Sequence, residues 1–330
     1  MTGRTEPPEP GALWADAERE PEPGHGPAEH GLDDDVQLAL YVCYELHYRG
    51  FQGVDPRWEW TPVLLALRAG LERDFLARVR SLLGQVPPLE RQLDELLTEP
   101  DQGSGPSWFL RERGERWQVR EYLAQRSLYH LKEADPQAWA IPRLHGAAQA
   151  AFVAVEFDEY GGGHPGRVHA RLYADMMADF GLEAGYGRHL DAAPAEALAV
   201  VNLMSLFGLH RSLRGALVGQ FAGVEITSSP ASARLAEALA ACGAGEAGVR
   251  FYREHIEADA VHEQLVRRGV IDELLRDEPE LEQDVAFGLA ASMLLEDRMG
   301  ERMVNCWSAG RSSLRIPLAD APVPAAVPVA

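Results

Sequence analysis

The stretch Phe251–Gly269 reads FYREHIEADAVHEQLVRRG and sets His255, Asp259 and His262 at i, i+4 and i+7. At about 100° per residue the second and third positions fall roughly 40° and 20° to either side of the first, so the three side chains share one stripe of a helix. Imidazole and carboxylate ligate divalent metals, but one helix cannot complete a metal site alone. The remaining ligands must come from other helices, which makes the architecture of the rest of the chain the next question.

With 330 residues, 46% of them hydrophobic and 25% charged, the chain has ample length for a buried core. The formal charge is -20. An acidic surface repels phosphate backbones, so nucleic acid is not an expected partner, and no basic amphipathic or long apolar stretch points to a membrane. Cys43, Cys242 and Cys306 are far apart and form no CxxC pair, which argues against a disulfide framework or a thiolate site. The N-terminus lacks an apolar signal core, and the expected location is the cytoplasm.

Residues 1–34 are acidic and rich in proline and glycine without hydrophobic periodicity, and are expected to form a disordered tail. Residues 311–330 read as a flexible C-terminal tail. Between the tails nearly every segment carries a helical pattern: 36–49, 61–83 and 89–97, then 116–133, 143–160, 168–180, 194–227, 232–242, 248–275 and 281–307. Strand signals are nearly absent, so the fold class is all-α. N-terminal helices over 35–110 are expected to pack on a bundle over 111–310.

Several carboxylates could join the triplet. Leu209, Leu213, Leu217 and Phe221 recur every four residues, and Glu225 is the next member of that stripe. A lone carboxylate there is either buried and in need of a metal, a cation or a proton, or lies where the stripe has reached water. In the segment AAQAAFVAVEFDEYGGGHPGRVHARLY, Glu159 continues another apolar stripe and Glu156 lies roughly 60° away, so periodicity does not choose between them. Gly161–Gly163 and Pro165 then break the helix before His169. Upstream, His130 and Glu133 stand one turn apart before an Asp-Pro break, each open to a ligand, salt-bridge or surface role.

The string REYLAQRSLYHLKEADPQAWAIPRL, then DEYGGG and His169, then Glu225, then HxxxDxxH, resembles the haem-oxygenase-like di-iron oxidases, or iron-containing redox enzymes. The resemblance covers about Arg116 to Trp307. It implies a haem-oxygenase-like helical bundle and selects Glu133, Glu159, His169, Glu225, His255, Asp259 and His262 as ligands to two non-haem Fe(II) ions. In this sequence they are spaced by 26, 10, 56, 30, 4 and 3 residues.

The implied chemistry suits these residue types. Four carboxylates nearly cancel the charge of two ferrous ions, and imidazoles complete each sphere. The resemblance further implies O2, a small organic substrate and an external electron donor as partners, with N-oxygenation, desaturation or oxidative C–C cleavage as outcomes. A homodimer is also expected. Tyr160, Tyr252 and Met293 are candidate pocket residues, with Arg298 or Arg302 to hold a carboxylate. A cofactor-free oxidase, or a binding module of the same fold, stands as the alternative. A haem reading would leave the later Glu, His and Asp set unexplained, and structural zinc would call for a closed four-ligand cluster that the sequence does not display.

Overall fold

A computed structural model describes residues 30–98 and 102–321, with the side chains of His30, Glu257, Asp259 and Ala260 outside the described set. Most of the expected N-terminal tail, residues 1–29, and the end of the C-terminal one, 322–330, lie outside it as well. The described residues are all-α: twelve α-helices joined by short 3-10 turns, with no strand among them.

The N-terminal layer consists of α1 (Asp34–Glu45), α2 (Pro62–Leu83), α3 (Leu89–Leu96) and α4 (Pro106–Arg113). Proline at the first turn of α2, where its missing N–H costs nothing, and Gly84 at φ 60 after its last turn mark that helix off. Helix α1 packs against α8 (Ala195–Leu209), and buried polar contacts fix its register. Asn202 Nδ2 donates to the Gln37 carbonyl at 2.8 Å. Lys132 Nζ and the Tyr186 hydroxyl both reach Glu45 Oε2, at 3.3 and 2.8 Å. A lysine this deeply buried is tolerable only when paired, and Glu45 supplies the charge.

The bundle is formed by α5 (Arg116–His130), α6 (Gly146–Glu159), α7 (His169–Asp179), α8, α9 (Arg214–Ala241), α10 (Glu246–Gln264) and α12 (Glu282–Ser308). A capping box between Glu115 and Gln118 starts α5. Helices α9 and α12 cross so closely that a Cβ on Gly219 would stand 1.9 Å from the Val285 carbonyl oxygen, which only glycine permits. Helix α10 runs without interruption into a π-helical stretch, Leu265–Ile271, that packs on α6, and then into α11 (Asp272–Asp277).

Several boundaries differ from the expected ones. The segment 194–227 is not one helix but two, broken at His210–Leu213, and the four-residue leucine spacing runs across the break. Helix α9 in turn continues through Pro230 to Ala241, where the sequence suggests a stop near Thr227. Packing against α10 and α12 outweighs the hydrogen bond that proline removes. Helix α4 carries too few residues to show a period and was not expected. At the other end, residues 312–314, placed by sequence in the tail, are tied to α5: the Ser313 N–H and the Trp307 indole both donate to the buried Glu121 Oε2, at 2.9 and 3.0 Å.

Candidate metal centre

Five elements converge on one buried spot. Glu133 follows the end of α5 in a tight turn, and the next residue, Ala134, holds φ at 73, the left-handed region that a non-glycine residue enters only under constraint. Glu159 is the last residue of α6 and His169 the first of α7, so the glycine-rich turn between them folds the chain back on itself. Glu225 lies within α9, and His255, Asp259 and His262 lie on α10.

The structure brings six of the seven sequence-selected side chains together; that of Asp259 lies outside the described residues. Glu133, Glu159, His169 and His255 present ligand atoms all within 4.8 Å of one another, and Glu159, Glu225 and His262 form a second such group. Glu159 belongs to both. Its Oε2 stands 2.7 Å from His169 Nδ1, and its Oε1 stands 3.9 Å from His262 Nδ1. Glu133 faces His169 and His255 at 4.0 and 3.9 Å, and Glu225 Oε2 lies 3.1 Å from His262 Nδ1. All six are buried. For Glu225 this decides between the two readings of its stripe: the carboxylate is inside, not at the water.

Hydrogen bonds turn each α10 imidazole toward the cluster. His255 Nδ1 donates to the Phe251 carbonyl one turn back at 2.8 Å, which leaves Nε2 facing Glu133. His262 Nε2 lies 3.2 Å from Asp158 Oδ2, so with the proton on that nitrogen Nδ1 is left for Glu225 and Glu159. Such outer partners fix the tautomer of a ligating histidine. Asp158 was not singled out from sequence. Its only signal is its position next to Glu159, on the more exposed side of the helix end.

The electrostatics of the cluster are divided. Burial is the largest influence on Glu159 and raises it, but the imidazoles of His169, His255 and His262 together outweigh burial and hold the carboxyl at about 2. Three residues earlier, Glu156 is pushed up to about 9 by burial and then by Glu159 and Glu225. It is therefore a neutral acid at pH 7, and neither of its oxygens has a hydrogen-bond partner among the described residues. Periodicity left Glu156 and Glu159 open; only Glu159 joins the grouped atoms. His130 is lowered to about 3 by burial and the nearby Arg126 guanidinium, so its ring is neutral.

A cavity of about 760 Å³ opens onto this centre at His255 and His130, walled by Tyr122, Tyr129, Tyr252 and Met293. Arg126 and Glu296, joined by two bonds of 2.7 and 2.5 Å, lie in the same wall. Tyr252 and Met293 were expected there. Tyr160, Arg298 and Arg302 line no part of it: Tyr160 is exposed and donates to Asp135 at 2.8 Å, and Arg302 bonds the Ser313 carbonyl at 3.0 Å. A smaller recess of about 250 Å³ reaches His169 from another side, past Asp158, Gly161 and Gly162.

Among curated proteins the chain is similar to the nitrosourea synthase of Streptomyces achromogenes subsp. streptozoticus, 26% identical over 157 residues. That stretch is 48% of this chain and 33% of the relative, so the match spans about a third of the relative's length. Among the described residues no helix is long and apolar enough to cross a membrane. Residues 120–297, more than half of the sequence and the part that carries all of the clustered side chains, match the family model for iron-containing redox enzymes, and the chain belongs to that family.

Proposed function

We propose that this chain is a non-haem di-iron oxidase or oxygenase that uses O2 to oxidise a small organic substrate held in the cavity beside His255. One observation carries the reading: two buried groups of ligand atoms share Glu159, whose two oxygens face in different directions. The donor set fits iron. Hard carboxylates with imidazoles suit ferrous ions, and nothing in the cluster is a thiolate that would favour zinc or an iron–sulfur site. The clustered carboxylates also call for positive charge in the core. The imidazoles around Glu159 already hold its carboxyl low, and divalent ions would supply that charge more fully.

On this reading Glu133, Glu159, His169 and His255 would hold one ion, and Glu159, Glu225 and His262 the other. Asp259, one turn from each α10 histidine, completes the set of seven. Iron in such a site supplies one-electron and O2 chemistry that side chains lack. The protein's own contribution is orientation and exclusion of water. Phe251 and Asp158 fix the imidazole tautomers, Glu156 keeps its proton beside the carboxylates, and the aromatic wall of Tyr122, Tyr129 and Tyr252 shields the occupant of the cavity. An external donor would return the iron to the ferrous state. Among oxidative outcomes, the name of the related nitrosourea synthase favours N-oxygenation over desaturation or C–C cleavage, since a nitrosourea contains an oxidised nitrogen.

Oxygen uptake tests this. Protein loaded anaerobically with Fe(II) and screened over amines, amino acids and fatty acids should consume O2 faster with one of them than alone. Chelated protein should not. Equal uptake by the chelated chain would instead support a cofactor-free oxidase, and no uptake with any substrate would count against an oxidase of either kind.

A further inference from the structure

His130 is one residue that the ligand set does not absorb. It ends α5, three residues before Glu133, and its Nδ1 lies 2.7 Å from Glu133 Oε1, a short contact for an imidazole and a carboxylate. The ring is clamped on its faces and edge. It stacks on Tyr173 with centroids 4.6 Å apart and planes at 29°, and Phe251 meets it edge-on at 5.1 Å. An imidazole so held cannot turn its Nδ1 away from Glu133 without dislodging two buried aromatics. Its other nitrogen, Nε2, has no hydrogen-bond partner among the described residues, and His130 lines the large cavity.

Glu133 needs such a partner. It lies beyond the last helical residue of α5, so the helix does not fix its rotamer, and the positive φ of Ala134 fixes only the backbone. Of its two oxygens, Oε2 faces His169 and Oε1 faces both His130 and, at 3.9 Å, His255. A proton donated from His130 to Oε1 selects one orientation of the carboxylate and leaves Oε2 directed into the cluster.

We infer that His130 is a positioning residue for the metal site: its Nδ1–H locks Glu133 in the ligating orientation. The same bond leaves Nε2 on the cavity wall. This rests on the di-iron reading above, and it concerns the half of the centre formed by Glu133, His169 and His255, not the half at Glu225 and His262.

Three substitutions separate the roles of the ring. His130→Phe keeps the stack and removes the donor; His130→Asn can place an amide N–H where Nδ1 stands; His130→Gln places its amide nearer the Nε2 position. The probe is Co(II), titrated anaerobically into the whole chain and read by its visible absorption, with thermal melts to confirm folding. The wild type should bind two ions. In His130→Phe one of the two should weaken by roughly 10- to 100-fold, the size usual for loss of an outer partner of a metal ligand. His130→Asn should recover most of that affinity, and His130→Gln should not. Should His130→Phe fail to fold, Asn against Gln decides. Two ions bound as tightly in His130→Phe as in the wild type, or Asn no better than Gln, would overturn the role of His130 alone. A wild-type chain that takes up no Co(II) would overturn the di-iron reading and this inference with it.

Discussion

Glu156 and Glu159 stand three residues apart on α6, both buried, and carry opposite protonation states at neutral pH. The difference comes from their neighbours: imidazoles face Glu159, while Glu156 meets mainly other carboxylates. Its pKa of about 9 in the folded chain lies above the ordinary 4.5, so the folded state holds a proton that the unfolded state releases, and stability falls as pH rises through that window. Glu156→Gln removes the titration. In metal-free protein its stability relative to the wild type should grow between pH 5 and pH 8, by on the order of 3 kcal/mol, and chemical denaturation at several pH values reads the slope. Parallel pH profiles for the two proteins would show that Glu156 is not a buried neutral acid. Periodicity identified both carboxylates but could not rank them, because the choice depends on which residues other helices place opposite them; only the family resemblance selected Glu159.

At the level of elements, the spacing of the α10 triplet was legible because helical geometry alone sets it. The break between α8 and α9 was not. Leu209, Leu213, Leu217 and Phe221 keep a four-residue spacing through it, and only the change to extended backbone at His210 (ψ 111) reveals the end of the first helix. The turn between Glu159 and His169 is the reverse case: Gly161–Gly163 all hold positive φ, as glycines in a break should, and a Cβ on Gly161 would meet the His164 carbonyl oxygen at 2.6 Å. This turn joins two side chains proposed as ligands of one ion. Metal should therefore tighten it, and hydrogen exchange over residues 161–169 should slow markedly in iron-loaded protein while α12 changes little. Identical exchange with and without iron would separate this turn from the metal site.

For the whole molecule, the all-α class followed from the absence of strand signals and the helical periodicity of most segments. The way α1 joins the bundle did not, since it depends on buried long-range pairs such as Lys132 with Glu45. Nor did composition or periodicity reveal that six chemically suited side chains from α6, α7, α9, α10 and the turn after α5 form two groups around one carboxylate. Family resemblance gave their order along the chain; the sharing of Glu159 is a property of the packed bundle alone. That sharing is the centre of the account, and the iron content of the purified chain tests it most directly. After anaerobic loading with Fe(II) and removal of loosely bound metal, about two irons per chain are expected and, with Glu159→Ala, loss of both or nearly both; a single iron in the wild type, unaffected by that substitution, would rule out a centre shared through Glu159.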